Sequence, residues 1–181
     1  MMDTKRKCMK SANENLFKII GIIFDENNEV STELRKLIHY QNPSTKTIVS
    51  PLEKANVPYK TLFLKSVFPY KHIPEIQDEV LTYVNIYYTS FYSEKGDISR
   101  REERGYLVVD ILTHKEMEMI LINKSFAVRK YEIMSRVREL LDNNRSLRFL
   151  GGLDFYHWGE FDSLSSKHSG LRIMFDINEI S

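Results

Sequence analysis

The sequence predicts an α+β fold: a small antiparallel or mixed β-sheet packed with one main helix, preceded by an N-terminal helical hairpin and an extended Pro-rich connector. Three observations predict it. Apolar residues recur at helical spacing in 11–41 and again after residue 125. From residue 80 onward, runs rich in β-branched and aromatic residues read as strands. All five prolines lie between Pro43 and Pro74, and because proline fixes φ and removes a donor, no single regular element spans that stretch.

The elements follow in order. Residues 1–10 carry Lys5, Arg6, Lys7 and Lys10 against Asp3 and read as a basic tail, either solvated or reaching an acidic partner. Residues 11–41 form a helical hairpin. Its first helix is capped by Ser11 or Asn13 and presents Leu16, Phe17, Ile19, Ile20, Ile23 and Phe24; its second opens at Ser31 or Thr32 and presents Leu34, Leu37 and Ile38. Residues 42–76 are the connector, with Tyr59, Phe63, Phe68 and Tyr70 as aromatic anchors. A connector of this length either packs on a neighbouring chain or wraps its own domain.

The remaining 77–181 form the α+β core domain. Residues 80–92 are a strand with apolar groups on both faces, as in a strand covered from both sides, and 105–112 are a second. The charged segment 93–104 between them makes a protruding hairpin, its Lys95, Arg100, Arg101 and Arg104 balanced by Glu94, Asp97, Glu102 and Glu103. Residues 116–122 fit a short strand or an irregular loop. A helix over 125–143, capped by Ser125, buries Phe126, Ile133, Met134, Val137, Leu140 and Leu141. Residues 148–158 are a further strand, in which Gly151-Gly152 mark a bulge or bend. Over 170–177, Leu171, Ile173, Phe175 and Ile177 alternate with Arg172, Met174 and Asp176, the pattern of a half-buried strand.

Composition narrows the function. The chain has 181 residues, 42% hydrophobic and 28% charged, which excludes wholesale disorder and collagen-like structure. Net charge is +1, so no global field favours nucleic acid. The single Cys8 excludes an intramolecular disulfide and a cysteine-based zinc cluster. No signal peptide is read at the N-terminus, and no apolar run reaches the ~18 residues of a membrane span.

No catalytic motif stands out, and no cofactor is implied. His114, His157 and His168 with Asp110, Asp162 or Asp176 could form a metal site, but their spacing matches no template and ordinary histidines are the simpler reading. Asp110, followed by Lys115 and Glu116, faintly resembles a metal-dependent nuclease strand, but the E-x-K element is missing and an inward Asp bonded to backbone is the preferred reading. The one local charge asymmetry is a basic helical face of Arg129, Lys130, Arg136 and Arg138, continued by Arg145 and Arg148, with seven basic residues in 124–148 against Glu132, Glu139 and Asp142. Such a stripe can neutralise phosphates, or it can be a solvated or salt-bridged face.

Three motifs carry a family resemblance over roughly 75–181: a V-D-I-x-T-H strand ending from Val109 to His114; a Y-E-I-M-x-x-V-x-x-L-L helix from Tyr131 to Leu141 leading to G-x-L-x-F at Gly151-Phe155; and a closing S-G-L-x-I-x-F strand from Ser169 to Phe175. With the order of elements, this resembles the tail-terminator and head–tail joining (neck) proteins of tailed bacteriophages. The resemblance implies a structural virion protein, not an enzyme, that assembles in the host cytoplasm into a homo-oligomeric ring, commonly a hexamer. Its partners would be adjacent neck or tail proteins and DNA passing through the lumen, with no membrane. The helical hairpin and connector depart from the smallest members of that family. Subunit contacts are expected at Phe63, Phe68 and Tyr70 in the connector and at Arg100, Arg101 and Arg104 in the hairpin. A nucleic-acid-binding module using the 129–148 stripe is the alternative, and a metal-dependent nuclease a third.

Overall fold

A computed structural model describes residues 2–40, 48–74, 81–92, 103–142, 144–150, 153–162 and 166–177, of which 2–11, 90–92, 103–104 and 148–150 are described as backbone alone. The first helix, α1 (Met2–Ile23), buries Leu16, Ile19, Ile20 and Ile23, the i, i+3, i+4, i+7 stripe of an amphipathic helix. It begins well before Ser11 and Asn13, so neither is a cap, and the backbone of the expected basic tail is helical from residue 2. The second helix, α2 (Glu29–His39), starts earlier than Ser31: the Asn28 side chain accepts a hydrogen bond from the Ser31 amide at 3.1 Å, three residues in, as an N-cap does. Its Leu34, Leu37 and Ile38 are buried, and it packs mainly on the third helix.

The described part of the connector, 48–74, packs on its own domain. Short 3-10 turns at Pro51–Glu53 and Tyr59–Thr61 lead to β1 (Val67–Phe68). Tyr59 stacks on Phe24 at 4.9 Å and Val57 and Leu62 are buried in the main core. β1 pairs in parallel with β2 (Thr82–Tyr92), which pairs antiparallel with β3 (Glu103–His114), from Thr82 opposite Thr113 to Tyr92 opposite Glu103.

Beyond β3 a 3-10 turn, Lys115–Met117, leads into a ribbon of β4 (Met119–Ile122) and β5 (Ser125–Val128). Asn123 and Lys124 both have positive φ, 50° and 65°, which is the type I′ turn that a two-residue hairpin requires. The third helix, α3 (Arg129–Leu141), therefore starts four residues later than the sequence suggested. Ser125 lies in β5 and caps nothing, and Phe126, expected on the buried helical face, is exposed.

After a 3-10 segment, Arg145–Leu150, come β6 (Leu153–Asp162) and β7 (His168–Ile177). Gly151-Gly152 lies outside the described residues; within β6 the register shifts between Phe155 and His157. The mixed sheet has the order β1-β2-β3-β7-β6, with β6 at one edge. All three helices lie on one face of it. Val84, Ile86, Leu107, Val109, Ile111, Leu171, Ile173 and Phe175 join the helical stripes there in one core. The alternation read in 170–177 is realised residue by residue. The opposite face holds a smaller apolar cluster of Phe68, Tyr83 and Leu112, and a polar centre.

Candidate functional site

Strand parity puts Asn85 and Tyr87 of β2, Asp110 of β3 and Arg172 of β7 on the face away from the helices, because their odd-or-even neighbours fill the main core. Register then aligns them: Asn85 is opposite Asp110, and Asp110 is opposite Arg172. Asp110 is only 1% exposed. Arg172 donates from Nε to Asp110 Oδ1 (2.7 Å) and from Nη2 to Oδ2 (2.9 Å), and the Tyr87 hydroxyl donates to Oδ2 at 2.9 Å. The inward Asp110 is thus answered by a bidentate guanidinium and a phenol, not by backbone as expected. Hydrogen bonding to Asp110 holds the Arg172 guanidinium above its usual range; burial, then the Asp110 charge, pushes the Tyr87 hydroxyl up. Beside this centre lies a cleft of about 250 Å³, roofed by Lys71–Pro74 and walled by Phe161. Phe161 lies directly over Gly170, where a Cβ would meet its ring at 2.6 Å, so glycine is what lets the ring settle there.

Other sequence candidates do not converge on this centre. Lys115 and Glu116 are exposed in the turn after β3. His114 and His168 are register partners with rings 5.2 Å apart, edge to face, both buried. Burial, the largest influence, holds His114 below its ordinary value, with Glu116 opposing and Lys167 assisting. His157 and Asp162 are exposed on β6 and Asp176 is half-buried on β7. Among the described residues no three His, Cys, Asp or Glu side chains group as metal ligands would.

The basic stripe is not a free cationic face. Arg129 is fully buried and donates to the carbonyls of Met117, Leu37 and Tyr40; burial pushes it down to about 10. Lys130 is buried between Glu118 (3.3 Å) and Glu160 (3.2 Å). Burial acts to lower Lys130, but hydrogen bonds and attraction from those two carboxylates outweigh it and raise it. Arg136 bonds Glu33 and Glu132, and Arg138 pairs with Asp142 while lying 3.9 Å above the Phe155 ring. Helical spacing alone could not show that α2, β6 and the 3-10 turn bring acceptors to these cations. Arg145 is exposed, and the Arg148 side chain lies outside the described residues.

The expected subunit-contact residues divide. Phe68 is buried within the chain and stacked on His72 at 4.1 Å. Phe63 is half-buried against Tyr59 and Phe17. Tyr70 is 50% exposed. Arg100 and Arg101 lie outside the described residues, as does the side chain of Arg104. Sequence reasoning missed a further set: Tyr156 and Trp158 on β6 are 57% and 42% exposed, and Phe126 and Met119 stand out from the β4–β5 ribbon. The strand-like run at 153–158 was a signal for Tyr156 and Trp158, but only the sheet order shows that β6 is an edge.

No curated protein matches the chain. Residues 31–177, which include most of α2, the connector, the whole sheet and α3, match the family model YomW. The match spans most of the chain, so the chain belongs to the YomW family; that family is named after a gene of an SPbeta-like phage region of Bacillus, which points to a phage-associated protein.

Proposed function

We propose that this chain is a non-enzymatic structural subunit of a tailed-phage virion, assembling into a closed homo-oligomeric ring at the head–tail junction. The observation that carries the reading is the β6 edge. It is ten residues long, no described strand pairs with its outer side, and it exposes Tyr156 and Trp158. An open edge with aromatic groups is a template for another chain, and natural proteins leave one only where something covers it. The opposite margin is also incomplete: β1 pairs with Val84 and Asn85 alone, so that no described strand continues along β2 beyond them. Two different open edges on one sheet favour head-to-tail contact, the heterologous kind that closes rings. A stable contact buries at least about 1,000 Å², so the edge would need help from Tyr70 and from the hairpin segment with Arg100, Arg101 and Arg104. Adjoining neck or tail proteins would then stack on the ring, with DNA passing through it. The phage-associated family and the order of elements support the same reading.

The test is the mass of the full chain in solution by light scattering. A closed oligomer is expected at micromolar concentration. A chain that stays monomeric up to high micromolar concentration overturns the ring.

A further inference from the structure

The two open margins of the sheet match each other in level and in direction. Following the registers across it, Ser90 of β2 stands level with Gly105, Ile177 and Leu153, and Ile86 stands level with Val109, Ile173 and Trp158. Residues 86–90, just beyond the reach of β1, are thus level with 153–158, the half of β6 that carries Tyr156 and Trp158. Each of the three strand pairs between these margins is antiparallel, so β6 runs opposite to β2. Residues 86–92 read IYYTSFY, with no charge, proline or glycine. A bare edge of that composition pairs readily with another chain, and it lacks the lysines and prolines that guard an edge.

We infer that residues 86–90 of β2 are what β6 of the adjoining copy pairs with, strand 153–158 lying antiparallel to them so that one sheet continues from subunit to subunit. This rests on the ring proposed above and assigns the second half of its contact. A copy rotated about an axis along the strands keeps its strand directions and levels. Its β2 therefore meets β6 antiparallel and without sliding. Asp154 is level with Asp176, Tyr106 and Thr89, so it stands opposite Thr89 of the partner subunit. β1 occupies the level of Val84 and Asn85, which is that of Glu160 and Gly159. The register shift between Phe155 and His157 lets β6 turn aside there, because a bulge bends its strand. Pairing of β6 with β6 of another copy would also be antiparallel, but it stops at a dimer and leaves 86–92 bare.

The test is disulfide trapping in the full chain carrying Cys8→Ser. Within one chain Asp154 and Thr89 lie three strand spacings apart, about 14 Å. That is beyond the Cα separation of about 7 Å that a disulfide tolerates. Asp154→Cys combined with Thr89→Cys is therefore expected to give a ladder of covalently linked copies on oxidation, and either substitution alone only monomers. Hydrogen exchange on the unaltered chain is the second readout and needs no substitution. Amides of 86–90 and 153–158 that point out of the sheet should be protected in the oligomer and lose that protection together on dilution to monomers. Covalent dimers from Asp154→Cys alone would show β6 pairing with β6 and overturn the inference. Oligomers that give no ladder from the folded double variant, or whose residues 86–90 exchange as fast as in the monomer, overturn it too and leave the ring standing. A chain that stays monomeric up to high micromolar concentration removes the ring and this pairing with it.

Discussion

Asp110 and His114 lie on one strand and show how the same burial acts on two kinds of charge. The Asp110 carboxylate is all but inaccessible, whereas the Arg172 side chain is about one-third exposed. Removing the guanidinium strands a buried carboxylate, but removing the carboxylate leaves a cation that water can still reach. Arg172→Ala is therefore expected to cost on the order of 3 kcal/mol in urea unfolding and Asp110→Asn clearly less. Equal losses would mean that the pair does not act through burial of the carboxylate. His114 runs the other way. Burial holds its folded value below the ordinary 6.5, so an unfolded chain takes up the proton first as pH falls. Stability from keeping this ring neutral is present above about pH 6.5 and is lost as pH drops toward the folded value. The melting temperature should fall between about pH 6.5 and pH 5 more steeply in the native chain than in His114→Gln. Parallel profiles would exclude His114 as the source.

The β4–β5 ribbon is where local pattern and element part company. Ser125 with Phe126 at helical spacing from the α3 stripe imitates a capped helix start, yet those residues are a strand. The deciding feature is the turn, with Asn123 and Lys124 both left-handed. Asparagine tolerates that conformation; a lysine in it is no sequence signal. Lys124→Gly should relieve the strain and stabilise the protein by about 1 kcal/mol, seen as a higher denaturation midpoint. A loss of stability would mean that the Lys124 side chain makes a contact worth more than the strain. Elements with strong periods were legible in advance: the alternation of Leu171, Ile173, Phe175 and Ile177, the two-faced strand at 80–92, and the Leu16 to Ile23 stripe. Boundaries were not, because Asn28 and Arg129 define theirs through geometry rather than composition. The four cations of α3 were visible as a stripe; Glu132 and Asp142 answer Arg136 and Arg138 from one turn away, but the acceptors of Arg129 and Lys130, and Glu33 beside Arg136, come from segments outside the helix.

At the scale of the whole molecule, sheet order and register turn separate residues into surfaces, and neither can be read from one strand. Asp110 was legible as an inward residue. Its meeting with Arg172 needed the β3–β7 register, which no local pattern states. Trp158 and Tyr156 read simply as strand residues until β6 proved to be an edge. That position sets the last prediction. Both side chains are exposed, with ring contacts from Trp158 to Tyr131 at 6.2 Å and from Tyr156 to Tyr106 at 5.1 Å and His157 at 6.4 Å. Changing them to lysine should therefore move monomer stability by no more than about 0.5 kcal/mol. In the proposed ring, however, they would form an aromatic contact, and truncating such anchors costs about 2 kcal/mol or more each, roughly thirtyfold in affinity per residue. Lysine on an edge strand also repels a pairing neighbour. Tyr156→Lys with Trp158→Lys should thus convert the oligomer to monomers while the melting temperature of the monomer stays put. An oligomer of unchanged mass and affinity would take β6 out of the interface and move the search for subunit contact to Tyr70 and the β4–β5 ribbon.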